Sequence, residues 1–189
     1  KNLGTDYVDL YLLHQPYGDV LHAWEALEEA KAEGKIKSIG VSNMTPKIWN
    51  SFVPHFAGLP AGNQGECNPY FRQCELRKLT DAANVRIEAW GPLGQGNANL
   101  LNEPAVLALA GKYGKDAGQI VLRFEVQEGI VVLPKSVKPA RIAGNLNIFD
   151  FSLTEEEMNA LRSLDKGKGS HDPDAPGIGE MLLKNYKVH

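Results

Sequence analysis

Cysteine is scarce. Cys67 and Cys74 are the only two in 189 residues, too few for a disulfide framework or an all-cysteine metal site. Neither sign of charge dominates: 20 basic against 23 acidic side chains leave a net charge of −3. No overall basic field therefore draws the chain to nucleic acid or to an anionic membrane. Long apolar runs are missing, none reaching the roughly 20 residues that cross a bilayer. No basic segment followed by an apolar stretch opens the chain, so no secretory signal is read there. The resulting expectations are a reduced, cytoplasmic setting with no nucleic-acid, membrane or metal partner. An initiator methionine is also lacking. Lys1-Asn2-Leu3-Gly4 reads as the last turn of a helix closed by a glycine, and the chain is expected to be the later part of a longer protein.

What is present is an ordinary globular composition, 43% hydrophobic and 23% charged, long enough to bury a core and to form one domain. Strand-length apolar runs alternate with helical patterns. Strands are expected at 8–14, 36–42, 61–66, 85–90 and 130–133. Helices are expected at 21–33 with Gly34 as its stop, at 46–52 behind Thr45-Pro46, and at 73–83, 103–113, 119–127 and 139–145. A last one runs to about residue 164 behind the Thr154-x-x-Glu157 capping box. The segment 167–179, rich in Gly, Pro and Asp, reads as loop, and 167–189 as a C-terminal tail.

Strands each followed by a helix argue for parallel βαβ units. A doubly wound sheet and a (β/α)₈ barrel both fit. Length favours the former, because a complete barrel runs ~250 residues. The dinucleotide fingerprint GxGxxG is absent, since Gly94-Gln95-Gly96-Asn97-Ala98-Asn99 breaks at the third glycine. In both architectures chemistry sits at the carboxyl ends of the strands. Those ends read His14, Ser42-Asn43, Asn63-Gln64, Trp90 and Lys135-Ser136, more polar and aromatic groups than a packed core needs. Each also has a plain structural role available: a surface histidine, turn chemistry before a helix, a tryptophan plugging the core. Buried amides such as Asn63 and Gln64 need partners, and a ligand carboxamide offers both a donor and an acceptor.

Residues 134–145 carry a separate signal. Lys135, Lys138 and Arg141 lie within seven residues that contain no acid, ahead of a helix primed by Pro139. A helix N-terminus with three added cations suits a phosphate monoester; a solvated basic turn is the plain alternative.

The blocks DYVDLYLLHQP (6–16), GKIKSIGVSN (34–43), NQ-x-E-x-NPY (63–70), EAWGPLGQG (88–96) and VVLPKSVKPARIAGNL (131–146) together resemble the aldo-keto reductases, in particular the bacterial diketogluconate-reductase-like members. The resemblance covers nearly the whole chain. It implies a (β/α)₈ TIM barrel, here a partial one holding about strands 4–8. It also implies NADP(H) bound in extended form without a Rossmann motif, and reduction of a small aldehyde or ketone substrate. By the same resemblance His14 hydrogen-bonds the substrate carbonyl. Ser42, Asn43 and Gln64 hold the nicotinamide carboxamide, Trp90 stacks on the ring, and Gly91, Pro92 and Leu93 continue that strand end along the cofactor. Lys135, Ser136 and Arg141 take the 2′-phosphate, Val137 and Lys138 of the same turn line the cofactor, and Asn145 takes the adenine.

Three departures qualify the match. The family's catalytic Asp, Tyr and Lys belong to strands that precede the histidine strand, so residues 1–189 alone are expected to lack reductase activity. Gly144 stands where the family has a glutamate touching the adenine. Asn68 replaces a common histidine, while Gly62 and Gly65 replace β-branched residues at roughly 0.5–1 kcal/mol each. Five barrel strands leave two open sheet edges, where self-association or an N-terminal piece is expected. Two other readings remain open: a non-catalytic NADP(H)-binding regulatory subunit, and Schiff-base chemistry at Lys135.

Overall fold

A computed structural model describes residues 3–96 and 98–185. The helix end read into Lys1 and Asn2, and Asn97 of the broken glycine motif, fall outside them; Leu3 and Gly4 form a turn with Gly4 at φ +65°. The strands β1 (Val8–Leu13), β2 (Ile36–Ser42), β3 (Gly62–Glu66), β4 (Arg86–Trp90) and β5 (Val131–Val132) lie in one sheet in chain order. The pairs β1–β2, β2–β3 and β4–β5 are parallel. Chain order in a parallel sheet requires a crossover after every strand, which the alternating helical patterns supply. Two compact units share the chain. One comprises Lys1–Gly65, Glu75–Arg86 and His171–His189; the other comprises Glu66–Cys74 and Ile87–Ser170.

In the first unit α1 (Val20–Ala32) begins one residue earlier than its pattern suggests, because Asp19 caps it by accepting the His22 N–H at 3.4 Å. Its inner face is Val20 and Trp24, with Leu21 exposed. Trp24 stacks on Phe56 with ring centroids 4.2 Å apart. Thr45 accepts the Ile48 N–H at 3.2 Å to open α2 (Pro46–Phe52), with Pro46 at the first helical position where its missing N–H costs nothing. Gly40 in β2 has a steric purpose: an added Cβ would stand 2.7 Å from Leu12 Cδ2 and 2.9 Å from the Gly62 carbonyl. β1, an end strand of the sheet, leaves Leu10 41% and Tyr11 51% exposed. Most of α3 (Cys74–Ala82) also belongs to this unit.

The tail is more ordered than its composition suggests, for Ile178–Asn185 forms a helix, α9. Its seat is the loop after β1. The Tyr17 hydroxyl donates to the Pro173 carbonyl at 2.8 Å. A Cβ at Gly179 would meet the Tyr17 ring at 2.8 Å, and one at Gly18 would meet Leu183 at 3.4 Å. Gly177 and Gly179 depress local helix propensity, and packing on Tyr17 overrides them.

The second unit holds α4 (Ala98–Leu101), α5 (Pro104–Tyr113), α6 (Ala117–Gln127), α7 (Pro139–Leu146) and α8 (Glu155–Arg162). Its core gathers Leu100, Val106, Ile120, Phe124, Met158 and Leu161. α5 ends on Gly114 in the left-handed conformation, where glycine avoids a Cβ penalty. α6 starts two residues before its apolar pattern, because Asp116 and Gln119 form a reciprocal capping box at 2.9 and 3.0 Å that offsets Gly118. The expected Thr154–Glu157 box opens α8 in the same way. No helix among the described residues is long and apolar enough to cross a membrane.

Candidate functional site

Four of the residues singled out in the sequence are joined by hydrogen bonds in the first unit. Parallel pairing sets Ser42 opposite Gln64. The Ser42 hydroxyl, fully buried, donates to the Gln64 carbonyl at 3.0 Å and accepts from Asn43 Nδ2 at 3.2 Å. The Asn43 backbone N–H donates to the same Gln64 carbonyl at 2.7 Å, and its side-chain amide reaches the His14 carbonyl at 3.4 Å. Asn43 adopts φ +56°, a left-handed conformation that asparagine tolerates better than most residues. That turn ends β2 and ties the end of β1 to β3, leaving the His14 side chain solvent-accessible. Asn63 has no need of a ligand. Its amide donates to the Met44 carbonyl at 2.8 Å and accepts the Met44 N–H at 3.4 Å, so the backbone satisfies both halves of a buried side chain.

The remaining candidates belong to the second unit. Trp90 is the last residue of β4 and half-buried, and its carbonyl accepts the Cys67 N–H at 3.3 Å. Gly91, at φ +65°, opens a tight turn in which the Gly94 N–H donates to the Gly91 carbonyl at 2.9 Å. Pro92 is buried and Leu93 packs against the core, so both fix the turn that follows Trp90.

The basic turn is built as its sequence suggests. Lys135, Val137, Lys138 and Arg141 are exposed, and Ser136 and Asn145 are half-buried. The Ser136 hydroxyl accepts the Lys138 N–H at 3.1 Å. Lys138 then stands at the N-cap of α7 with Pro139 after it and no side chain capping the helix. Among the described residues none of the three cations pairs with a carboxylate. Uncapped N–H groups and cations on one turn are the kind of groups that can take a dianion. Lys135 lacks the apolar enclosure that activates a nucleophilic amine.

Gln119 was not legible as part of this arrangement. Its Nε2 donates to the carbonyls of Gly144 at 3.1 Å and Asn147 at 2.8 Å, which moors α7 on α6. Lys115 adds a bond to Asp150 at 2.7 Å. The D-x-x-Q capping pattern was the signal available in the sequence.

Both tyrosines near a strand end carry a phenol less acidic than usual. Burial pushes the Tyr70 phenol up to about 12, helped by Glu103, which accepts its hydroxyl; Lys166 Nζ stands 3.2 Å above the ring. Burial raises Tyr17 too, with the charges of Asp174 and Asp172 behind it.

Parallel strand–helix units in chain order, with polar groups at the carboxyl ends of the strands, fit part of a (β/α)₈ barrel, of which the described residues hold five strands. The family model for the aldo/keto reductase family matches residues 1–166, and the chain belongs to that family. It is 39% identical over 181 residues to the methylglyoxal reductase DkgA of Escherichia coli, covering 94% of this chain and 66% of that protein. The crystal structure of an aldo/keto reductase from Brucella melitensis superposes with a TM-score of 0.81 at 41% identity, covering 86% of this chain and 63% of that one. A Bombyx mori aldo-keto reductase in complex with NADP gives 0.82 at 33% identity, covering 93% and 62%. The chain spans about three fifths of the length of curated relatives it matches.

Proposed function

We propose that this chain is the cofactor-binding part of an NADP(H)-dependent reductase of aldehyde and ketone carbonyls, one partial barrel domain over residues 1–189. The observation that carries the reading is the hydrogen-bonded set of His14, Ser42, Asn43 and Gln64. The Ser42 hydroxyl and the Asn43 amide are joined to each other and to the backbone carbonyls of Gln64 and His14, next to a residue with an accessible imidazole, which suits a planar carboxamide and a carbonyl oxygen. In this reading Ser42, Asn43 and Gln64 hold the nicotinamide carboxamide. Trp90 gives the ring a stacking face on the segment Gly91, Pro92 and Leu93. Lys135, Ser136, Lys138 and Arg141 hold the 2′-phosphate, Val137 lines the cofactor on the same turn, and Asn145 meets the adenine. Cations unpaired on one turn support a 2′-phosphate over a bare ribose hydroxyl. When bound, the cofactor supplies the hydride.

His14 donates a hydrogen bond to the carbonyl oxygen and so stabilises charge developing there. It is the single member of the implied catalytic set within residues 1–189. The general acid is worth on the order of 10²–10⁴ in rate, and neither Tyr17 nor Tyr70 replaces it. Residues 1–189 alone are therefore read as binding NADPH without turning it over. The open edges of β1 and β5 are where a further copy, or a further stretch of barrel, adds a strand.

Titration of the 189-residue chain with NADPH and with NADH, followed by protein fluorescence, tests the reading. Saturable binding at least tenfold tighter for NADPH is expected. No binding of either overturns the assignment. Consumption of NADPH with methylglyoxal would overturn the claim of inactivity instead.

A further inference from the structure

Helix α7 carries the basic turn, yet no apolar side chain of its own seats it. None of its residues is buried, and Ile142 and Leu146 are 48% and 72% exposed. Its first turn has no side-chain cap. The chain returns to the core only at Ile148, two residues beyond the helix. The hold on α7 is instead at its last turn, where helical carbonyls run out of partners within the helix. Gln119 Nε2, on α6, donates to the Gly144 carbonyl at 3.1 Å and to the Asn147 carbonyl at 2.8 Å. Lys115 reaches the Asn147 carbonyl more loosely, at 3.4 Å, and pairs with Asp150 at 2.7 Å.

Gln119 is buried, and its amide is committed on both sides. Its Oε1 accepts the Asp116 N–H at 3.0 Å while both hydrogens of Nε2 go to α7. A side chain fixed at its acceptor end offers its donors in one direction only.

The hold lies at one end of the helix and the cations at the other. Lys138 stands six residues before Gly144, about 9 Å along the axis. A tilt of about 10° about Gly144 therefore moves Lys138 by about 1.6 Å. That exceeds the window of roughly 0.5 Å in which an N–H···O bond forms. Asn145, beside the pivot, hardly moves. Releasing the last turn thus costs contacts at the basic turn first and contacts near the pivot last.

We propose that Gln119 is a positioning residue for the phosphate site: through α7 its two bonds set where Lys138 and Arg141 stand, and so set the preference for NADPH over NADH. The inference rests on the NADP(H) reading above and extends it to a residue on another helix, acting through the backbone.

Gln119→Met, which keeps the length of the side chain and removes its amide, tests this in the 189-residue chain. Asp116→Ala is the control, since it removes the other half of the capping box and leaves Nε2 in place. Amide hydrogen exchange without ligand reads the hold itself. In Gln119→Met, exchange over 139–147 should quicken at least tenfold while 121–127 stay within threefold. Asp116→Ala should leave 139–147 within threefold of the original chain. Fluorescence titration with NADPH and with NADH reads the consequence. Gln119→Met should lower the ratio of the two affinities at least fivefold, and Asp116→Ala less than twofold. A merely structural role would weaken both cofactors together and leave the ratio where it was. That result overturns the inference, as does unchanged exchange over 139–147 or an equal fall of the ratio in both variants. In each of those cases a preference for NADPH in the original chain leaves the cofactor reading standing. Failure of the original chain to bind NADPH overturns both.

Discussion

Asn43 holds the end of β1 to the end of β2: its Nδ2 donates to the His14 carbonyl at 3.4 Å while its backbone sits at φ +56°. Alanine at this position would lose both side-chain bonds and face the left-handed penalty. Asn43→Ala should therefore destabilise the fold by about 1–2 kcal/mol. Asn43→Gly should recover the backbone share alone. Urea midpoints of the two variants check this, and equal midpoints would show that φ at residue 43 carries no cost.

Arg141 stands on the uncapped face of α7 with no carboxylate partner among the described residues. Hydrogen bonds to charged groups contribute about 1.5–3 kcal/mol. Arg141→Ala should thus weaken NADPH roughly tenfold or more and leave NADH within twofold. Raising the salt concentration should narrow the gap between the two cofactors in the unmodified chain. Isothermal titration against both cofactors reads the difference directly.

Glu125, in the last turn of α6, is fully buried with neither carboxylate oxygen hydrogen-bonded among the described residues. Desolvation holds its carboxyl well above the usual carboxylate range. The folded state therefore keeps a proton that the unfolded chain, with a pKa of about 4.3, gives up. The stability this provides is fully present below that pH. It is lost as pH rises toward the folded pKa, with a limiting slope of about 1.4 kcal/mol per pH unit. Glu125→Leu should gain on the unmodified chain steadily from pH 5 to pH 8 in denaturant melts. A stability difference that does not change with pH would show that water or a partner reaches the carboxylate.

Glu157 has the opposite sign. Burial works against its charge, but Lys112, Tyr113 and the Thr154 N–H, at 2.6, 2.6 and 2.7 Å, overcome it and hold the carboxyl at about 2. Its contribution is present above about pH 4.3 and disappears as pH falls toward 2. Glu157→Ala should cost about 1–2 kcal/mol at pH 7 and nearly nothing at pH 2. Circular dichroism melts at the two pH values measure it.

Much of this molecule is legible in its residues. β2 and α2 fall where the apolar run 36–42 and the Thr45-Pro46 signal put them, because a strand buried on both faces and a capped helix each leave a local mark. The set at 14, 42, 43 and 64 could be read as strand-end chemistry. The reason it holds together could not: parallel register and one left-handed backbone angle bring Ser42 and Asn43 onto a single carbonyl, and neither has a one-dimensional trace. Asn63 looked like a ligand group until Met44 supplied its partners. α9 was hidden by Gly177 and Gly179, whose low helix propensity is overridden by packing against a ring that lies far back in the sequence. Gln119 was visible as a polar residue near a helix start, yet its hold on α7 exists only in three dimensions.

The bond from Tyr17 to Pro173 joins residues separated by 156 positions. During synthesis the loop behind β1 leaves the ribosome long before its partner is made. At about 5–20 residues per second it waits roughly 8–30 s for residue 173, and α9 comes later still. Until then Tyr17 and the segment carrying His14 lie open to solvent, to proteases and to chaperones. Codon choice and translation speed over the stretch that encodes the second unit therefore set how long the nascent chain stays vulnerable around His14.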